Sequence, residues 1–91
     1  MGRPRECRQV TFHPSVTYFK PRGVALCDVK VIELSTEEVE ALRLKNIKKL
    51  DQHACAAKMQ TSQSTFQRIL SGAYKKMSEA IIEGKAIKIV K

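Results

Sequence analysis

The spacing of apolar residues changes character along the 91 positions of the chain. Arg8 to Phe12 alternates, with Val10 and Phe12 on one side, which predicts a short strand ending before Pro14. Residues 13–28 hold Pro14, Pro21 and Gly23 and read as an ordered loop pinned to the core by Tyr18 and Phe19. Val29 to Leu34 is a β-branched run, either a second strand or an extended lead-in.

The period then changes to threes and fours. Ser35 followed by Glu37 and Glu38 predicts a helix start, with Ser35 and Glu38 at capping-box spacing. That helix runs from about Thr36 to Lys48, burying Val39, Leu42 and Ile47 with Leu44 alongside. A shorter helix spans about Asp51 to Met59. After a break at Gln60-Thr61, Ser62 caps a long helix reaching Glu83, with Phe66, Ile69, Leu70, Ala73, Met77, Ala80 and Ile81 as its apolar positions. Gly84 stands where a left-handed C-terminal residue belongs. Ala86 to Val90 alternates again and predicts a third strand, pairing with an N-terminal strand or with a second copy of the chain.

The fold class expected is mainly α, a three-helical helix-turn-helix with short strands from the N- and C-terminal segments. One domain covers residues 1–91. It divides into a mobile basic arm (1–7), a strand and loop segment (8–34), a helical core (36–83) with the helix-turn-helix at about 51–72, and the strand 86–90.

The segment from Gln52 to Leu70 carries the functional argument. Two helices crossing over a short turn need a small residue at their contact and apolar residues at fixed offsets. Ala56 supplies the first; Cys55, Met59, Phe66 and Ile69 supply the others. The turn begins with Gln60, where a glycine would take positive φ at no steric cost. An ordinary helical hairpin with a capped turn is the alternative. In a helix-turn-helix, Ser62, Gln63, Ser64, Gln67, Arg68 and Ser71 point away from the core. Gln suits adenine, Arg suits guanine, and hydroxyls suit base or phosphate. Thr65 supports the cap or a phosphate, and Lys75 and Lys76 reach phosphates. Residues 62–72 contain no acid, whereas a plain solvated helix face ordinarily carries Glu and Lys together.

Charge fits this picture. The chain has 17 Lys and Arg against 9 Asp and Glu, a net +8. Residues 1–30 and 51–91 each carry +4, while residues 31–50 balance, so a polyanion could be held from two sides. Arg3 and Arg5, in Gly2-Arg3-Pro4-Arg5, resemble a minor-groove AT-hook core; a solvated basic tail is the alternative. Cys7, Cys27 and Cys55 form no CxxC pair, and His13 and His53 complete no zinc spacing, so neither metal nor cofactor is expected. An odd cysteine count without a signal sequence points to reduced thiols in the cytoplasm, with Cys55 in the core and Cys7 activated by Arg5 and Arg8. No apolar run is long enough to span a membrane. No HExxH motif or phosphate-cradling glycine loop occurs, so an enzyme is not expected.

Several motifs together resemble a family of small uncharacterised prokaryotic proteins. These are Gly2-Arg3-Pro4-Arg5 with Cys7-Arg8, Tyr18-Phe19-Lys20-Pro21 with Gly23, Glu40 to Leu44, and Ser62 to Leu70. The family is predicted to bind DNA through a helix-turn-helix like region four of sigma factors. The resemblance implies a DNA-binding, regulatory role. This chain departs from the family pattern in having Gln60-Thr61 for Gly-Val, His53, Ala54 and Ala57 for acids, and Gln63 and Gln67 for Arg and Gly. Sequence preference is therefore not transferable. The expected partners are double-stranded DNA and a second copy of the chain. A protein adapter gripping the transcription machinery is the alternative, and RNA binding is disfavoured by the few aromatic stacking platforms.

Overall fold

The computed structural model describes residues 10–90. Each helix starts on a side-chain oxygen. Ser35 precedes α1 (Thr36–Leu42) and forms the full capping box: Glu38 N–H donates to Ser35 Oγ at 3.2 Å and Ser35 N–H to Glu38 Oε1 at 2.9 Å. Asp51 accepts from Ala54 N–H at 2.7 Å to open α2 (Gln52–Lys58). Ser62 accepts from Thr65 N–H at 3.1 Å to open α3 (Gln63–Glu83). The helical boundaries expected from the sequence are reproduced within a few residues.

Their C-terminal ends are equally regular. α3 stops at Gly84 with φ of 68°, and Lys85 N–H returns to the Ala80 carbonyl. α2 closes in the same way at Gln60, φ 56°, with Thr61 N–H donating to Ala56 O and Gln60 N–H to Ala57 O. A left-handed conformation in a residue with a Cβ costs on the order of 1 kcal/mol, so the cap forms against the preference of its own residue.

α1 departs from the expected pattern. After Leu42 it widens into a π-helical turn, Arg43–Ile47, in which Lys48 N–H reaches back five residues to Arg43 O at 2.9 Å. The wider turn carries Ile47 out of the apolar stripe, and Ile47 is 74% exposed rather than buried. Val39 and Leu42 are half-buried, and the row facing the core is Glu40, Ala41 and Leu44. Ile81, also expected inside, is 72% exposed.

A three-stranded sheet closes the other side, in the order β1 (Tyr18–Phe19), β3 (Ala86–Val90), β2 (Val31–Ser35). β3 runs parallel to β2, with Leu34 opposite Ile89, and antiparallel to β1, with Phe19 opposite Ile87. The C-terminal strand is thus the centre of the sheet and pairs within its own chain on both edges. Of the strand expected over Arg8 to Phe12, residues 10–12 are described and are not in a strand, Arg8 and Gln9 lie outside the described residues, and the pairing falls at Tyr18–Phe19, inside the expected loop. The reason is a competing bond. Thr11 Oγ1 donates to Glu40 Oε2 at 3.1 Å and Arg43 lies over the Phe12 ring at 5.4 Å, fastening this stretch to α1 instead. Tyr18 and Phe19 stay on the surface of the sheet.

The main buried cluster joins Ala41 and Leu44 of the first helical stretch, Cys55, Ala56 and Met59 around α2, and Phe66 and Leu70 of α3. Burial pushes the Cys55 thiol pKa up and keeps it an inert core group.

Candidate nucleic-acid interface

α2 and α3 are joined through Met59 to Ser62, and their contact is built from the residues the sequence singled out. Ala56 is buried at the junction, with Cys55, Met59 and Phe66 fully enclosed around it and Ile69 half-buried beside them. This packing fixes the first turns of α3 and aims their outer side chains into solvent.

Ser62, Gln63, Ser64, Gln67, Arg68, Ser71 and Lys75 are all exposed, and Thr65 is half-buried. The hydroxyls of Ser62 and Thr65 are engaged with each other at 2.9 Å as part of the cap, which makes them supports of the helix start. Gln67 Nε2 donates to Ser71 Oγ at 3.2 Å, a surface bond readily exchanged for a partner atom. Among the described residues Arg68 and Lys75 have no hydrogen-bond or ion-pair partner. Lys76 behaves differently from the expectation: it bonds Glu38 Oε1 at 2.9 Å and the Glu33 carbonyl at 2.8 Å, tying α3 to α1 and β2. Arg3 and Arg5 lie outside the described residues, as does Cys7.

The structure adds one group to this surface. His53 Nδ1 lies 3.0 Å from Gln63 Nε2, and Gln52 Nε2 donates to the Gln63 carbonyl at 3.3 Å. The start of α2 therefore orients the first residue of α3. Sequence spacing alone does not reveal this pair, because ten residues and a turn separate its members.

The electrostatics of the surface follow from the absence of acids. From Ser62 to Ser78 no carboxylate occurs. The nearby acids are committed elsewhere: Glu38 to Lys76, Glu40 to Arg43, Glu79 and Glu83 to Lys85. Burial opposes ionisation of Glu40, but the hydrogen bonds and charge of Arg43, with those from Thr11, outweigh it and hold the carboxyl below its ordinary value. The hydrogen bond and charge of Lys85 likewise lower the pKa of Glu79. What remains on the outer face of the first half of α3 is amide, hydroxyl and positive charge.

The chain matches, over residues 1–91, the profile of a family described as a protein of unknown function, DUF134. It is 51% identical over 89 residues to a UPF0251 protein of Desulforudis audaxviator, covering 98% of this chain and 58% of the relative. A UPF0251 protein of Halothermothrix orenii is 50% identical over 88 residues, covering 97% of this chain and 65% of the relative. One from Clostridium acetobutylicum is 51% identical over 89 residues, covering 98% and 62%. The chain belongs to this family, and it spans less than two thirds of the length of these curated relatives. No solved structure matches it. No helix among the described residues is long and apolar enough to cross a membrane.

Proposed function

We propose that this chain binds double-stranded DNA with sequence preference and acts in the cytoplasm as a regulator of transcription. In this reading α2, the turn and α3 are a helix-turn-helix of the sigma region-four kind. The outer face of the first half of α3 lies in the major groove. The observation that carries the reading is the acid-free outer face from Ser62 to Ser78, with Arg68 unengaged and Lys75 held only by the charge of Glu79 one turn on.

Each residue has a role set by its chemistry. Arg68 offers a planar fork to guanine O6 and N7, and Gln67 and Gln63 offer paired donor and acceptor to adenine. Ser64 and Ser71 reach bases or phosphates, Lys75 neutralises a phosphate, and Ser62 and Thr65 hold the helix start against the backbone. His53 orients Gln63. Arg3 and Arg5 would enter an adjacent minor groove. The protein works as a homodimer on a two-fold site, by binding rather than catalysis.

Selection of bound sites from a random duplex library at physiological salt tests this. A recovered motif is the expected result. Random sequences bound only at low salt would reduce the interaction to simple charge and overturn the proposal. Capture of a defined transcription protein by a chain that selects no duplex motif would favour the adapter role instead.

A further inference from the structure

The second half of α3 carries side chains that neither the core nor the DNA-reading face uses. Tyr74 is 41% and Ile81 72% exposed, two turns apart on one side, with Met77 between them. Ile47, swung outward by the π turn, stands beside Tyr74 across a groove of about 550 Å³ whose walls include Leu42, Met77 and Phe12. Phe12 and Phe19 border a second groove, and Phe19 and Ile81 a third, so the apolar surface continues to the end of the sheet. Two of the cations along its border are paired with carboxylates of the chain, Arg43 with Glu40 and Lys85 with Glu79 and Glu83, while Lys20 holds the carbonyls of Pro21 and Val24.

We propose that this band is the interface of a homodimer, in which two α3 helices pack antiparallel about a two-fold axis near Met77 and Ser78. The occupant is a second copy for three reasons. The first is area. At about 200 Å² per side chain, the exposed fractions of Phe12, Phe19, Ile47, Tyr74 and Ile81 amount to on the order of 500 Å². A standard interface takes about 800 Å² from each partner, somewhat more than half of it apolar, which is the amount on offer. The monomer also has reason to seek burial: five of the eleven buried apolar residues among those described are alanines.

The second reason is charge. A chain carrying +8 repels its copy everywhere except across a face whose charges are internally paired. Arg43, Lys85 and Lys20 along this band are each held by groups of their own chain, so these cations are not free to recruit an acidic protein.

The third is geometry, and it rests on the DNA reading above. Gln67 precedes Ser78 by eleven positions, about 17 Å at 1.5 Å per residue. Antiparallel packing about Ser78 puts the two reading heads roughly 33 Å apart, close to the ~34 Å between successive major-groove faces. At 3.6 residues per turn, the Tyr74–Met77–Ile81 stripe also lies about a quarter turn from the row of Ser64, Gln67, Arg68 and Ser71. Two copies joined through the stripe therefore present both rows to the same side.

Sedimentation equilibrium of the full 91-residue chain, without DNA, tests the interface separately from the reading. The expected mass is twice 10.3 kDa, with a dissociation constant on the order of 1–10 μM. Ile81→Lys and Ile47→Lys change exposed positions, so each should keep its circular dichroism while weakening association at least tenfold. Ser78→Cys, in a Cys7→Ser, Cys27→Ser background, should form an intermolecular disulfide on mild oxidation. A monomer at about 100 μM, or lysine variants that still dimerise fully, would overturn the interface. A dimer that does not cross-link through position 78 would overturn the antiparallel arrangement. A dimer that cross-links but selects no duplex motif would uphold the interface and overturn the DNA reading alone.

Discussion

The two halves of α3 share one buried side and differ on the other in how much apolar surface they present. From Ser62 to Ser71 the outer positions are amides, hydroxyls and Arg68; from Tyr74 to Ile82 a tyrosine and two isoleucines join Lys75, Ser78 and Glu79, with Ile82 82% exposed. The inner row is continuous through both, with Phe66, Leu70, Ala73 and Ala80 all buried. An unbroken inner row means that the contrast outside is not a consequence of how the helix packs. In the proposed reading the first face keeps polar groups available for charged, hydrated DNA, and the second presents apolar area to another protein surface. One helix thus joins two surfaces rigidly, and their separation is fixed by its rise.

The largest effect expected is on what the halves share. Phe66→Ala empties the centre of the cluster that holds α2 to α3 and should cost about 3–5 kcal/mol in urea unfolding. Ile82→Ala, on the far side, should stay within about 0.5 kcal/mol. A cost at Ile82 comparable to that at Phe66 would show that the outer side is packed after all.

Next in size is the cluster that fastens residues 11–12 beside the apolar half. Glu40→Ala leaves Arg43 without its carboxylate in a partly buried site and should cost about 2–3 kcal/mol. Because the folded-state pKa of Glu40 lies below its ordinary value of 4.5, its contribution is complete above that unfolded value. It is lost as pH falls through the folded value. Urea midpoints measured from neutral to acid pH should show this loss in the parent chain, and a smaller one in Glu40→Ala.

Effects on the polar half are comparable or smaller but fall on recognition alone. Arg68→Ala and Gln67→Ala should each cost about 1–3 kcal/mol at one preferred base and leave the sedimenting mass unchanged. Lys75→Ala should weaken all duplexes evenly and lower the salt slope by about 1, read from binding at several salt concentrations. If Ile81→Lys altered the preferred half-site sequence, the separation of the two surfaces would be broken.

The smallest effect is expected at the turn that launches α3. Gln60→Gly relieves a left-handed residue at φ 56° and should stabilise the fold by about 0.5–1 kcal/mol in thermal or urea unfolding. Destabilisation there would mean that the Gln60 side chain contributes more than its backbone costs.

Local chemistry made the helices legible in advance. Ser35 with Glu38, Ser62 and Gly84 act within four residues of their own position, so a reading of neighbours finds them. The missed features are decided at longer range. Thr11 bonds Glu40 across 29 positions, and that bond holds Thr11 on α1, inside the stretch expected as a strand. The π turn leaves no periodic trace before Ile47 points outward, so a spacing of threes and fours assigned Ile47 to the core. Ile81 illustrates a deeper ambiguity: the period of an apolar stripe is the same for an interior as for an exposed docking face. At the polar half, the outward positions of Gln67, Arg68 and Ser71 were readable from helical phase. The His53–Gln63 contact was not, because it depends on how two helices meet.

Paired site selection with the parent chain and Arg68→Ala decides whether the first half of α3 reads DNA bases. The expected result is a duplex motif for the parent and the loss of preference at one position per half-site for the variant. No motif at physiological salt, or the same motif from both proteins, would contradict it.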